Sequence, residues 1–359
     1  MSGTIHPEIE RLLAAMTQRE ASDLHLVAGY PAMLRVHGEL HSVDGAGLPG
    51  EQVLELMRSI APAGARERIG RATDVDFAAG VVLGGTSHRF RVNVFQSRGQ
   101  AGACLRLIPS EIPPLASLGF PAETADRILA LNAGLVLLCG VTGSGKTTSL
   151  AALIQRINSA GGQRVITIEE PIEYVYPRCE RSVVTQREVG TDVASFAEGL
   201  RSGLRQDPDV LLVGEIRDRE TAQLALSAAE TGHVILSTLH TADAKGAITR
   251  LIDLFPPELH NDARTQLSLS LRYVVSQHLL PPPQKGARRV LAVEVLAANF
   301  AVRACIRSGK IEGLDSAIQS GKKDGMVSLD AQLRELVQRG QIDLATARQF
   351  AKDPAELGG

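Results

Sequence analysis

The segment GVTGSGKTTSL, residues 140–150, constrains the fold more than any other part of the 359-residue chain. It matches G-x-x-x-x-G-K-[ST], and its flanks supply the context that pattern needs. GLVLLC before it has the length and apolarity of a strand, and TTSLAALIQRIN after it reads as a helix. The glycines let backbone N–H groups approach phosphate oxygens, and the helix N-terminus adds positive potential. Candidate nucleotide contacts are Gly140, Thr142, Gly143, Ser144, Gly145, Lys146, Thr147 and Thr148. Lys146 is placed to reach the β- and γ-phosphates and Thr147 to ligand Mg²⁺, so ATP and Mg²⁺ are the expected cofactors.

From about residue 122 the pattern of apolar strand, loop and helix repeats, which predicts a mostly parallel sheet with helices on its faces. Three further strands end in chemically active residues. In RVITIEEPIEY, Glu169 and Glu170 close a strand that Pro171 terminates. Alone, two acids there read equally well as solvated surface; their position at the same strand end as the glycine-rich loop raises their value. In DPDVLLVGEIRD, four apolar residues lead to Gly214 and Glu215, a Walker B shape whose carboxylate can hold Mg²⁺ through water or orient an attacking water. In TGHVILSTLHT, a strand is bracketed by His233 and His240. A lone histidine beside a core strand is more often a packing residue, and that reading stays open for His233. His240 lies at the C-terminal end, where it can meet a γ-phosphate or the neighbouring glutamate. Together these groups suit in-line attack of water on ATP.

Two intervening helices read as structural. DVASFAEGLRSGLRQDPD has Asp192 as its expected N-cap and Pro208 as its stop, and ETAQLALSAAETG ends on Gly232. Arg201, Arg205 and Arg217 are exposed candidates to meet a partner or a phosphate, with solvated charge the plainer reading. Residues 1–108 form a different unit. A helical face at Ile9, Leu12, Leu13 and Met16, short strands around Gly29–Pro31, and the alternating HRFRVNVF give an α+β module. Residues 109–121, rich in proline, read as a linker, and 122–359 as the second domain with C-terminal helices.

Composition excludes several classes. Lys plus Arg is 38 against 40 for Asp plus Glu, a formal net charge of −2, which argues against a polybasic nucleic-acid or membrane-surface protein. Tryptophan is absent and aromatics are 3%, so base-stacking platforms are poorly supported and no nucleic-acid partner is expected. Cys104, Cys139, Cys179 and Cys305 are scattered without a C-x-x-C, so no zinc site is expected. The N-terminus lacks a signal-peptide pattern and no apolar run could span a bilayer, giving a cytoplasmic expectation.

GVTGSGKTT, TIEEPIEY, LRQDPDVLLVGEIRDRETAQLAL and AAETGHVILSTLHTADA resemble the Walker A, Asp box, Walker B and His box of the secretion ATPase superfamily, the hexameric motors of type II secretion and type IV pili. SDLHL, RFRVNVF, LRLIPS, VVTQREVG, SLSLRYVVSQHLLP and SAIQSGKKDGMVSLD resemble the pilus retraction ATPases in particular, so the likeness runs from about residue 21 to 350. The resemblance implies an α/β chain with an N-terminal PAS-like α+β domain and a RecA-like P-loop ATPase domain. It implies a homo-hexamer with ATP between subunits, work against an inner-membrane pilus platform protein from the cytoplasmic side, and a paralogous retraction ATPase as a further partner. It assigns Glu215 as Walker B glutamate, Glu169 as Asp-box glutamate, and His233 and His240 as the His-box pair. Arg91, Arg98 and Arg106 match basic positions that face the nucleotide. Glu170 stands where the Asp box has aspartate. AVRACIR, residues 301–307, loosely matches the segment needed for retraction, which makes Arg303 and Arg307 candidates for coupling.

The function so implied is ATP hydrolysis driving pilus retraction. Alternatives are a pilus assembly or type II secretion ATPase, whose relatives carry a four-cysteine zinc module and a longer N-terminus not seen here, and an auxiliary ring subunit with weak turnover.

Overall fold

The computed structural model describes residues 5–36, 38–43, 45–108, 111–284 and 288–357; residues 109 and 110 of the expected linker lie outside them. The chain divides into two compact units, residues 1–111 with 171–175, and residues 112–170 with 176–359.

Unit 1 contains α1 (Pro7–Gln18), β1 (Asp23–Val27), β2 (Met33–Val36), β3 (Glu39–Ser42), α2 (Gly50–Ile60), α3 (Ala63–Arg68), β4 (Asp74–Leu83), β5 (Thr86–Ser97) and β6 (Gln100–Ile108). The His6 ring caps α1 by accepting from Glu8 N, Pro7 pre-sets its first turn, and Ile9, Leu12, Leu13 and Met16 are buried at the spacing of one helical face. The strands form an antiparallel sheet in the order β3-β2-β1-β6-β5-β4. Period-two alternation sends Phe90, Val92 and Val94 into the core with Leu24, Leu26 and Leu105.

The opposite face of that sheet carries charge. Arg91 and Arg106 sit directly across from each other on β5 and β6, an arrangement that is repulsive unless neutralised. Arg106 donates from Nε to Asp23 Oδ1 at 2.8 Å, and Arg91 lies 3.8 Å from Glu173. Arg89 donates to the Ile172 carbonyl at 3.0 Å. Ile172 and Glu173 belong to the five-residue stretch Pro171–Val175 that the chain contributes to unit 1 directly after Glu170. Arg98 and Gly99 form the tip of the β5–β6 hairpin with φ of 53° and 74°, the pair of left-handed conformations that a two-residue primed turn requires.

Unit 2 contains α4 (Ala122–Leu129), β7 (Gly134–Cys139), α5 (Lys146–Ala160), β8 (Arg164–Glu169), β9 (Val183–Glu188), α6 (Phe196–Gly203), β10 (Val210–Val213), α7 (Arg219–Glu230), β11 (Val234–Leu239), α8 (Ala244–Asp253), α9 (His260–Ser270), β12 (Leu271–Leu280), β13 (Val290–Ala297), α10 (Phe300–Ser308), α11 (Gly313–Ser320), α12 (Leu329–Gln338) and α13 (Leu344–Phe350). Its sheet runs β13-β12-β7-β11-β10-β8-β9, parallel throughout except for the β12–β13 pair. Every residue of β7, β10 and β11 is buried, as expected of strands covered on both faces. The proline-rich stretch is not bare chain from Ile112 on. It forms a 3₁₀ turn at Leu115–Leu118 and buries Leu115 and Phe120 in the unit 2 core.

The helix after β9 differs from expectation at both ends. Its N-cap is Ser195, whose hydroxyl accepts from Glu198 N, while Asp192 accepts from Glu188 N in the preceding turn. Val193 is buried and bridges to Val189, which holds residues 189–193 out of the helix. The helix ends at Gly203, and Asp207 at φ 53° turns the chain before Pro208 is reached. Past the sheet, α12, α13 and a last 3₁₀ turn build a small separate core around Leu280, Leu333, Leu336 and Leu357. In α10, Val302 and Ile306 are buried and Arg307 is exposed. Arg303 is half-buried and donates to the Ala298 carbonyl at 2.8 Å.

Burial pushes the Asp23 carboxyl up, but hydrogen bonds from Arg106 and Ser22 and the field of Arg106 outweigh it and hold it below the usual carboxylate range. A carboxyl held low contributes stability that is present above its unfolded pKa and is lost as pH falls through the folded value. Wild type is therefore expected to exceed Asp23→Asn in urea midpoint by a constant margin down to about pH 5, with the margin shrinking below about pH 4. A margin that is unchanged in acid would show that the ion pair does not supply it.

Candidate active site

The four central parallel strands of unit 2 deliver their C-terminal ends to one edge. At the end of β7, Gly140, Gly143 and Gly145 take φ of 144°, 81° and 91°, conformations that a side chain resists. A Cβ on Gly140 would lie 2.4 Å from Ser144 Oγ and 2.6 Å from the Gln277 carbonyl, so close packing as well as backbone angle demands glycine there. Lys146, Thr147 and Thr148 open α5, whose first N–H groups have no intrahelical partner. Thr142, Gly143 and Thr147 are exposed, and the buried Ser144 hydroxyl has no hydrogen-bond partner. Lys146 is buried, and its ammonium donates to the Gly140 and Val141 carbonyls at 2.7 and 3.1 Å. Burial pushes this ammonium's pKa down, opposed by the charges of Cys139 and then Glu215. A glycine cradle, an orphaned hydroxyl, a cation and a helix N-terminus together fit a nucleotide's phosphates.

Glu169 is the last residue of β8 and is buried. One of its oxygens accepts from Thr167 Oγ1 at 2.6 Å and from Gln186 Nε2 at 3.1 Å, so the charge is met by hydrogen bonds rather than by water. Neither partner was singled out in the sequence. Thr167 was findable, since period two puts it on the same face of the strand; Gln186 was not, since it arrives from β9.

The chain turns sharply after β10. Gly214 packs under Phe196 and its N–H donates to the Ile168 carbonyl at 2.8 Å. From β11, the Ser237 and Thr238 hydroxyls each donate at 2.7 Å to the Val213 and Gly214 carbonyls. This stitching fixes Glu215, whose side chain is only 15% exposed. Its two oxygens face different partners: Arg217 pairs with one, and His240 Nε2 lies 3.6 Å from the other. Arg217 also donates to Glu170 at 3.0 Å. Its hydrogen bond to Glu215 raises the guanidinium's pKa further. The structure brings Arg217 between two carboxylates.

His233 is not brought to this edge. It precedes β11 at the opposite end of the strand, where its carbonyl accepts from Gly134 N and its Nδ1 lies 3.2 Å from the Ala228 carbonyl. Six strand residues separate it from His240, about 20 Å along the sheet, so within one chain it acts as a packing residue of the α7–β11 turn. Arg91, Arg98 and Arg106 lie in unit 1, on the charged sheet face and hairpin tip described above.

The Type II/IV secretion system protein family matches residues 2–314. The chain belongs to that family. Among its members, the type IV pilus retraction ATPase PilT of Pseudomonas aeruginosa is 43% identical over 97% of this chain and 99% of its own length. The type IV pilus ATPase PilU of the same organism is 37% identical over 98% of this chain and 90% of its own. A crystal structure of the pilus retraction motor PilT with bound ADP superposes with a TM-score of 0.87 at 40% identity, covering 97% of this chain and 98% of that one. The fold is accordingly the family's, with an N-terminal α+β domain and a RecA-like domain.

Gly140→Ala is expected to leave unit 2 folded but to weaken binding of a fluorescent ADP analogue at least tenfold, because the added methyl must displace Ser144 or the β12 backbone. Unchanged affinity by titration would mean that the loop adapts and that the cradle is not rigid.

Proposed function

We propose that this chain is an ATPase motor that hydrolyses ATP to power type IV pilus retraction. One observation carries the reading: the Glu215 carboxylate, fixed by β10–β11 stitching, meets His240 at the C-terminal edge of the sheet where Glu169 and the glycine cradle with Lys146 also lie. Near-full-length identity with a retraction ATPase supports the biological assignment.

In this reading Lys146 binds the β- and γ-phosphates, with backbone N–H groups of residues 140–148 around them. The exposed Thr147 hydroxyl and the Glu215 carboxylate are hard oxygen donors that suit Mg²⁺. Bound Mg²⁺ supplies charge neutralisation of the triphosphate. Glu215 orients the attacking water and accepts its proton, His240 hydrogen-bonds the γ-phosphate or Glu215, and Glu169 is the Asp-box glutamate at the end of β8. A homo-hexamer would complete each site, with Arg91, Arg98 or Arg106 of a neighbouring subunit stabilising charge in the transition state. The motor would work in the cytoplasm against an inner-membrane platform protein, with a paralogous ATPase as partner. Among the described residues no helix is long and apolar enough to cross a membrane. Exposed Arg307 remains the candidate for coupling to that machinery, while Arg303 is occupied with its own helix start. The likeness to PilU favours one second reading, an auxiliary ring subunit with weak turnover of its own.

Lys146→Ala should abolish phosphate release in a malachite-green assay. Glu215→Gln should bind nucleotide and hydrolyse it about 10²–10⁴-fold more slowly. Near-wild-type turnover in either variant sinks the site assignment. Deleting the gene should leave cells with abundant surface pili and no twitching. Bald cells would instead indicate an assembly ATPase. Weak turnover of the purified protein, raised by its co-expressed paralogue, would indicate the auxiliary subunit.

A further inference from the structure

The side chain that couples the Asp-box and Walker B strands is Arg217. Its backbone is fixed on both sides. Ile216 is buried with its N–H donating to the Thr238 carbonyl at 3.3 Å, and Asp218 caps α7 by accepting from Thr221 N at 2.8 Å. From that fixed point one guanidinium nitrogen reaches Glu215 and another reaches Glu170. Because β10 lies between β11 and β8, Arg217 spans the β10–β8 seam while His240 spans the β10–β11 seam, and Glu215 is held from both sides. Glu170, one methylene longer than an aspartate would be, extends to Arg217 at 3.0 Å. Two carboxylates on adjacent strand ends would otherwise repel each other across that seam.

We propose that Arg217 is a positioning residue for hydrolysis: it fixes the orientation of the Glu215 carboxylate by bridging it to Glu170, and takes no part in holding nucleotide. The proposal rests on Glu215 being the hydrolytic carboxylate. The pair is a poor source of stability, since the Arg217 and Glu170 side chains are 60% and 42% exposed, and water screens them. What the bridge supplies is orientation. Arginine's planar fork can serve two carboxylates at once, a geometry that lysine reproduces only in part.

The test uses full-length protein and compares Arg217→Gln, Arg217→Lys and Glu215→Gln. Arg217→Gln is expected to lower kcat about 10–100-fold, the range seen when a residue orienting a ligand-bearing carboxylate is removed. KM for ATP and the affinity for a fluorescent ADP analogue should stay within about twofold of wild type, since a group acting only in the transition state leaves binding untouched. Oligomer size and thermal midpoint should be unchanged, and Arg217→Lys should recover part of kcat. An unchanged kcat makes Arg217 a solvated charge. A raised KM at constant kcat makes it a nucleotide contact. Loss of assembly, or no recovery with lysine, makes it structural. Each of these overturns the proposal. Glu215→Gln separates the two levels of failure: if it keeps its turnover, the underlying assignment is wrong, whereas a dead Glu215→Gln beside a normal Arg217→Gln overturns the positioning role alone.

Discussion

The parallel pairing of β10 with both neighbours is the constraint from which the rest of the site follows. Val210 is level with Val165 of β8 and Val234 of β11, and Val234 is level with Gly134 of β7, so four strands start in line. β10 is only four residues long, and pairing stops at Val213, opposite Ile168 and Ser237. Its neighbours run on, β8 to Glu169 and β11 to Leu239. The short strand therefore leaves a notch at the sheet edge, and Gly214 and Glu215 turn within it. The notch is closed by hydrogen bonds from strands that continue past it: Ile168 accepts from Gly214, and Thr238 both donates to Gly214 and accepts from Ile216. A glutamate placed there is held by backbone geometry on two sides before any charge is considered.

Charge is then managed group by group. Glu169 is buried and accepts hydrogen bonds from Thr167 and Gln186. Glu215 and Glu170 share the Arg217 guanidinium, and the second Glu215 oxygen faces the His240 ring. A buried carboxylate needs hydrogen bonds or a charge partner to offset desolvation. Unit 1 shows the same logic, with Arg91 and Arg106 side by side on one face and each given its own acid.

Much of this was legible in the chain because it depends on local rules. The strand–glycine loop–helix order, the acid after a four-residue apolar run, and the Ile9–Met16 helical face are all readable from spacing, and α1 and β7–α5 form where those rules put them. The misses share a cause. Asp192 makes a sound N-cap by type, yet Ser195 takes the role because Val193 finds a buried bridge that propensity does not encode. Arg217 reads as a surface charge because one of its partners, Glu170, lies forty-seven residues earlier, just past β8. Likewise, Pro171–Val175 reads as a loop of the second domain, although its contacts with Arg89 and Arg91 lie in the first unit.

The C-terminal helices bear on the site through the residues that follow His240. Asp243 caps α8 by accepting from Gly246 N at 2.7 Å, and the next N–H, of Ala244, donates at 3.0 Å to Glu294, which is almost fully buried in β13. A carboxylate so placed needs a cation, and Lys352 supplies it at 2.6 Å while also lying 3.6 Å from Asp243. Lys352 is in turn fixed by its own N–H, which donates to Asp330 of α12 at 2.8 Å. Removing one partner of a buried pair leaves an uncompensated charge, which costs more than the pair itself contributes. The segment near the end of the chain is thus tied, through Glu294 and Asp243, to the turn that presents His240 to Glu215. The small core of Leu333, Leu336 and Leu357 serves to hold Lys352 in that place as much as to stabilise the helices themselves.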